Sequence, residues 1–530
     1  MASTRSIFVR HLFGGGWATD YGPTVDVVPD QSGMVSLPFL IDAENIFYEL
    51  DGGPHKIGGT TTLNATSVGA SSVISGICDF WRQGTGGAPA RRHILHADTR
   101  ILGDADDFVF TNLATGLTSN AVPCYTTFDD FLILSSDSTV DVPRSYDQTT
   151  FQNLAGSPPR FSFSVKHQNR VWAAGIYTTP SRLHYSGNLD PEDWTGGTSG
   201  TIDIDPNDGD MITGLASFKN ELWVFKGPYH GSIHRITGAT PSTFARTMFV
   251  NGLGACWHNA IFQMGTDGSG SDLGFVSQFG SVHSLNATDA FGDFNDKALS
   301  RPIQSWLQNH LNFNRLRYIQ AVNYPVGGFV LFTASVDSSS TNNACFIMDY
   351  RFNPVRWSYL PALDAGALGL FTESNNVKRV YLGGNDGYVR RAFVANRSLD
   401  TTTAIAAKVT TPYCNYGQPI YMKTLSHAAV GIAPKGSYDL TFGWQVDTMT
   451  QQTATVEQGG GDVLGSADAN QFTLGTSALG GSQYTDRFIE EVTGEGRAFQ
   501  YQVTNSGNNE DLEVHAITAG IKQGAVSTEN

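Results

Sequence analysis

Short runs of apolar residues, broken by polar turns, recur along most of this chain. The openings fall at residues 73–78, 122–125, 161–165, 211–216, 254–257, 318–322 and 366–370, about 40–60 residues apart. In several of them a two-residue turn follows and a second apolar run answers the first. Phe128-Asp129-Asp130 leads into Phe131-Leu132-Ile133-Leu134, His167-Gln168-Asn169-Arg170 into Val171-Trp172-Ala173-Ala174, and Phe218-Lys219-Asn220-Glu221 into Leu222-Trp223-Val224-Phe225. Apolar runs of this length on either side of a polar pair predict antiparallel hairpins. Hairpins at this spacing are the pattern of a β-propeller, in which each four-stranded blade buries its faces against its neighbours. The expectation is therefore an all-β chain, with a propeller of six or seven blades over residues 65–395.

The flanking segments read differently. Residues 1–64 repeat nothing downstream and close on Asp51-Gly52-Gly53, a hairpin turn; they are expected to form an arm packing on the propeller. Residues 396–530 alternate with period two in Tyr438-Asp439-Leu440-Thr441-Phe442-Gly443-Trp444, in Phe499-Gln500-Tyr501-Gln502-Val503 and in Leu512-Glu513-Val514-His515-Ala516. Alternation gives one wet and one buried face, so an additional antiparallel β-sandwich is expected there, with Gln458-Gly459-Gly460-Gly461-Asp462 as a flexible loop. One helix is expected over 300–307, with Ser300 as its cap and Pro302 in its first turn.

Composition supports the β reading. Only 15% of the 530 residues are charged, 58 are Gly and 11% are aromatic, against about 25% charged in an average soluble domain. That rules out disorder and a long-helix protein. The net charge of −16 argues against a protein that grips nucleic acid or anionic lipid through a basic footprint. Residues 401–530 hold 13 acids against 6 bases, which marks the C-terminal sandwich as the most acidic module. Five scattered cysteines without CxxC spacing read as free thiols made in a reducing compartment. Residues 1–8 lack the apolar core of a signal peptide, and no apolar run is long enough to insert in a membrane.

Candidate chemistry is sparse. There is no phosphate-cradling Gly-Lys loop and no G-x-S-x-G elbow, so no catalytic residue, cofactor or enzyme activity is expected. His93-Ile94-Leu95-His96 with Asp98 has the density of a zinc site, but His93 and His96 would face opposite sides of a strand, and Arg91 and Arg92 oppose a cation. His230 and His234 lack the Glu of a zinc helix. Asp203, Asp205, Asn207 and Asp208 form the one dense carboxylate loop, a weak calcium candidate without the Gly and Glu of an EF-hand. Asp190, Glu192 and Asp193 beside Trp194 imitate a glycosidase pair and sugar platform, with nothing to fix their spacing. Arg91, Arg92, His93 and Arg100 are the only basic concentration, and stand as interaction candidates.

Several motifs in order carry a resemblance. They are Phe13-Gly14-Gly15-Gly16-Trp17-Ala18-Thr19-Asp20 with the block 43–59, and Pro180-Ser181-Arg182-Leu183-His184-Tyr185-Ser186 with Trp194. Then come Asp208-Gly209-Asp210-Met211-Ile212-Thr213-Gly214-Leu215 leading into 222–226, and Met348-Asp349-Tyr350 with Arg356-Trp357-Ser358 and the stretch 380–389. Phe472-Thr473-Leu474-Gly475-Thr476-Ser477 with residues 496–501 adds a further likeness. In this order the chain resembles the tail nozzle, or tail-hub β-propeller, proteins of short-tailed bacteriophages; His55 departs from the Arg many relatives carry. The resemblance implies a non-enzymatic virion protein. It would form a homo-oligomer, a hexamer, below the portal and contact a head-to-tail adaptor and tail fibre or tail-tip proteins. It would pass double-stranded DNA without reading its sequence, sit in the virion tail and assemble in the host cytoplasm. Two other readings of the repeat stay open: a propeller glycosidase or carbohydrate-binding protein, and a fibre hub of a long-tailed phage.

Overall fold

A computed structural model describes residues 6–69, 72–82, 90–265, 271–286, 298–436, 438–458, 485–489 and 492–526. The glycine loop at 459–462 and the likeness at 472–477 lie outside the described residues. The chain divides into two compact units, one of residues 62–345 and 363–391, the other of residues 1–61, 346–362 and 392–530.

The first unit is a series of short antiparallel meanders. Strands Ile74–Arg82, Ala90–Ala97, Arg100–Gly103 and Thr111–Ala114 make one sheet; Cys124–Phe128, Phe131–Ser135, Arg144–Tyr146 and Phe151–Asn153 the next. Phe163–His167, Arg170–Ala174, Arg182–Tyr185 and Gly200–Asp203 form a third, and Met211–Phe218, Glu221–Gly227, Ser232–Thr237 and Ala245–Asn251 a fourth. A three-stranded sheet (Ile261–Met264, Asp272–Val276, Val282–Ser284) and the hairpin Gln320–Tyr324 with Phe329–Ala334 follow, then Ala367–Thr372 paired with Lys378–Gly383. The hairpins fall where the apolar runs place them. Asp129, Gln168 and Lys219 supply the left-handed backbone that two-residue turns demand, at φ of 49°, 47° and 49°.

Each sheet spends its apolar faces on its neighbours. Phe80, Ile94 and Ile101 of the first pack with Leu132, Leu134 and Tyr146 of the second. Trp172, Leu183 and Tyr185 of the third pack with Leu215, Leu222 and Val224 of the fourth. Trp223, Phe225 and Ile233 of the fourth meet Leu273 and Phe275, and Ile77, Leu95 and Leu102 of the first pack with Phe371 and Tyr381.

The second unit is woven from distant segments. Strand Ser6–Phe13 lies between Met34–Leu37, to which it runs parallel, and Val514–Val526, to which it runs antiparallel; Tyr421–Ile432 extends that sheet. Asp42–Glu44 pairs with Ala407–Thr410, which pairs with Phe499–Asn505, and Asp439–Val446 pairs with the other edge of Phe499–Asn505. Phe499–Asn505 alternates buried and half-buried positions, as its period-two pattern predicts. The motif Gly14-Gly15-Gly16-Trp17 packs here. A Cβ on Gly15 would sit 1.8 Å from the Pro38 carbonyl oxygen and one on Gly16 2.8 Å from Arg356 Cβ, so no larger residue fits. Arg356 donates to the Gly52 and Gly14 carbonyls at 3.1 and 2.8 Å, and the Tyr48 hydroxyl donates to the Trp357 carbonyl at 2.9 Å.

Three expectations are corrected. The chain is all-β, but it is not the expected β-propeller of six or seven blades with an added antiparallel β-sandwich. Its strands form many small, mostly antiparallel sheets, and among the described residues none closes or curls on itself. The physical reason is that hairpin spacing encodes local pairing, not how the sheets close. Of the alternating C-terminal strands, Asp439–Val446 and Phe499–Asn505 do pair with each other, but Ala407–Thr410 joins their sheet to Asp42–Glu44, and Val514–Val526 pairs with Ser6–Phe13, so no separate sandwich forms. The helix begins as a 3-10 turn, Arg301–Ile303, and continues as Gln304–His310; Ser300 makes no capping bond, its hydroxyl instead accepting from the Val282 N–H and donating to Gln304.

Trp172 is 1% exposed between the third and fourth sheets. Trp172→Ala is expected to cost about 3–5 kcal/mol in chemical denaturation. Tyr229→Ala, at a side chain 71% exposed, should stay within about 0.5 kcal/mol. Equal midpoints for the two variants would show that the third and fourth sheets are not packed in this way.

Candidate functional site

The basic concentration is dispersed by its own strand. Arg91 lies in a pocket of carboxylates, its Nε 2.8 Å from Asp79 and its Nη1 3.2 Å from Asp106, with its guanidinium 5.1 Å from the Trp81 ring centre. Arg92 bonds the Asp104 carbonyl. His93 is fully buried, its Nδ1 2.7 Å from Asp104, its ring stacked between Phe108 and Phe371 at 4.4 and 4.9 Å. Arg100 is half-buried beside Gly69. So Arg91 and His93 serve the interior of their sheet. His96 faces Ser75 at 2.5 Å, away from His93, and burial lowers its pKa to about 4. Among the described residues no group of three or more His, Cys, Asp or Glu is placed to hold a metal ion, and all five cysteines are free thiols.

The carboxylate loop at 203–210 surrounds a cation supplied by the chain. Lys226, fully buried, drives its ammonium into the loop and donates to Asp208 at 2.6 Å and to the carbonyls of Ile204 and Asp205 at 2.7 and 2.8 Å. Asp203 forks onto Arg182 at 2.6 and 3.0 Å, and Asp205 pairs with Arg246. Asp210 accepts three successive backbone N–H bonds from Tyr229, His230 and Gly231. Asn207 is exposed. The calcium-like density of acids thus anchors one lysine and two arginines to the strands they come from. His230 is 76% exposed at its side chain whereas His234 is buried, so the two do not converge.

The Asp190 region is a folded turn. Asp190 accepts from the Glu192 N–H at 2.9 Å and Asp193 from the Gly196 N–H at 2.7 Å, while the Trp194 indole donates to the Pro191 carbonyl. Asp193 packs against Gly187 and Gly196 so closely that a Cβ on either would meet its carboxylate at 2.5 Å. These acids shape a loop.

The densest set of charges lies in the second unit, and the sequence pattern did not single it out. His55, on Pro54–Lys56, is 2.7 Å from Glu49 through Nδ1 and 3.0 Å from Asp511 through Nε2. Arg397 reaches the other Asp511 oxygen at 3.0 Å. Glu513 takes Lys435 at 2.6 Å and His515 at 2.9 Å, and His515 bonds Asp51 at 2.8 Å. Next to His55, Lys56 is wholly buried, donates to Asn505 at 2.7 Å, and is lowered by burial to a pKa of about 8. Burial works against the charge of His55, but its bonds to Asp511 and Glu49 outweigh it and raise its pKa. Burial likewise opposes the Asp511 and Glu513 charges. His55 and Arg397 nevertheless hold Asp511 far below the usual carboxylate range, and His515 and Lys435 bring Glu513 to about 2. The charge run Asn509-Glu510-Asp511-Leu512-Glu513-Val514-His515 is the only local trace of this cluster. Protonated, His55 acts as a cation on a two-carboxylate seat.

No protein-family model matches the chain, and no curated protein sequence matches it. Among solved structures, YCF48 bound to a D1 peptide is 8% identical over 64% of this chain and all of its own, with a TM-score of 0.37. BBS1N in complex with ARL6DN is 10% identical over 63% of this chain and 97% of its own, at 0.40. The N-terminal domain of Nup159 is 11% identical over 66% and 98%, at 0.33. At these identities and TM-scores the likenesses carry no argument for this chain.

Two outcomes are expected. Because the pKa of His55 is raised above 6.5, its bonds stabilise the folded chain below that value and stop doing so as pH climbs through the raised one. The melting gap between the native chain and His55→Gln should be widest near about pH 5.5 and shrink by about pH 8.5; a gap constant with pH would overturn the assignment. Lys226→Met should cost about 2–3 kcal/mol, because it takes the buried ammonium away from the Asp208 carboxylate and from the Ile204 and Asp205 carbonyls. A denaturation midpoint equal to that of the native chain would show that Lys226 does not hold the loop.

Proposed function

We propose that this chain is a structural, non-enzymatic component of the tail of a short-tailed bacteriophage, a nozzle or hub subunit that assembles as a homo-oligomeric ring of six. In this reading it docks a head-to-tail adaptor on one side and tail fibre or tail-tip proteins on the other. Double-stranded DNA passes it without sequence-specific contacts.

The observation that carries the reading is where its signature residues go. Gly15, Gly16, Tyr48, Arg356 and Trp357 lock one another inside the second unit. Arg182 is tied to Asp203, Asp208 to Lys226 and Arg390 to Asp386 at 2.6 Å. These described members of the resemblance are thus spent on internal joints. A subunit whose distinctive residues build stiffness suits a particle under mechanical load. The acid excess of the sequence fits a conduit that does not hold phosphate.

Antibody raised against the full chain should label the tail of the source particle in electron micrographs, and the chain should be recovered from purified virions. Recovery only as a free monomer from cell extract, with none in virions, would overturn the proposal.

A further inference from the structure

The first unit contains a cavity of about 580 Å³, inside the range of about 300–1,000 Å³ usual for small-molecule sites. It opens where the starts of successive sheets meet the 3-10 segment Phe313–Tyr318. Its aromatic surface comes from Trp257, Tyr177 and Phe313, the last two 72% and 43% exposed. Exposed rings of this size at a cavity mouth leave apolar faces wet, a cost that a stacked ligand removes.

The polar groups of the wall fall into two sets. Ser136, Thr213 and Gln278 are already engaged, with Asp141, with the Ala255 carbonyl, and with Gly254 and His230. Arg317 is not. Its guanidinium lies 5.8 Å from the Trp257 ring centre and 5.1 Å from that of Tyr318, and among the described residues it makes no ion pair or hydrogen bond. By contrast Arg91, Arg182, Arg246, Arg351, Arg390 and Arg397 all sit on carboxylates. A planar guanidinium placed over aromatic rings, with its donors unspent, is suited to pair with a carboxylate. Asp137, in the same wall, has one oxygen occupied by the Thr139 N–H and hydroxyl at 2.9 and 2.7 Å. The other can accept from ligand hydroxyls, and the Asn314 carboxamide adds both a donor and an acceptor.

We propose that this cavity binds an acidic saccharide. The C–H face of a sugar ring stacks on Trp257 or Tyr177, its hydroxyls bond Asp137 and Asn314, and its carboxylate pairs with Arg317. Neutral sugar would satisfy the rings and the hydroxyl partners but leave Arg317 without its counter-charge. This inference stands on the cavity alone and does not depend on the virion reading.

The test uses the full chain, with tryptophan fluorescence and saturation-transfer NMR as readouts. The acidic probes are glucuronate, N-acetylneuraminate and short galacturonate oligomers; the neutral ones are galactose and maltotriose. Saturable binding of at least one acidic probe at millimolar concentration is expected, with every neutral probe weaker by about tenfold or more. Arg317→Met should bring the acidic probe down to the neutral level, and Tyr177→Ala should weaken it as well. Both positions are exposed, so unchanged melting midpoints will show that the variants are folded. No saturable binding by any acidic probe, equal binding of acidic and neutral probes, or acidic binding untouched by Arg317→Met would each overturn the proposal.

Discussion

The second unit depends on one antiparallel ladder, in which Ser6–Phe13 pairs with Val514–Val526 from Ser6↔Lys522 to Leu12↔Ala516. Pairing segments some 500 residues apart carries a closure entropy that grows only logarithmically with separation, but it must be offset before any local contact helps. The ladder offsets it with backbone bonds along its length and with a buried side-chain bond. His11, wholly buried, donates from Nδ1 to the Ile517 carbonyl at 2.9 Å, and burial keeps its pKa near 4, so it remains neutral. Everything that packs on this ladder, from the Gly14–Trp17 turn to the Tyr421–Ile432 strand, presupposes it.

The ionic cluster around His55 is the second fastening of the same joint. The Lys56 N–H donates to the Leu512 carbonyl at 2.8 Å, and His55 bridges to Glu513 through the backbone. The strand that carries the histidine is therefore already held against the strand that carries the acids. That order matters energetically. Burying charges costs more than their attraction returns unless backbone geometry fixes the partners beforehand. Here the backbone does so, and His55, Asp511 and Arg397 close over a site where each charge has a counter-charge within about 3 Å.

What could be read from the sequence follows from range. Asp129-Asp130, Gln168-Asn169 and Lys219-Asn220 announce hairpins because a two-residue turn needs a left-handed backbone that its own residues supply. The alternation in 499–505 announces one buried face for the same local reason. Nothing local says that Asp42–Glu44 will lie beside Ala407–Thr410, or that His55 will find Asp511, 456 residues away. The way the sheets close is equally long-range, which is why the hairpins were foreseen and the propeller and separate sandwich were not what formed. At the candidate sites, composition marked the loop at 203–208 as cation-seeking. It could not show that the cation is Lys226, because that residue enters from the far strand of a neighbouring hairpin.

The fate of the bases changes the meaning of the net charge. Lys423 places its ammonium group on the backbone carbonyls of Gln418, Tyr421 and Arg497, whereas Lys226 divides its own between two carbonyls and Asp208. Arg170 caps the carbonyls of Ser186 and Thr198, and Arg356 those of Gly14 and Gly52. A cation spent on a carbonyl neutralises no carboxylate, and one that is buried contributes little to the field outside. Acids are buried as well, Asp104, Asp210 and Asp511 among them, so the interior holds charges of both signs. The formal −16 is expressed at the surface, where it acts over about 8–10 Å at physiological salt. Bases stand at the surface too, Arg10, Lys166, Arg182 and Arg317 among them, so the exterior carries both signs with acids in excess, and a net field of that sign disfavours polyanions.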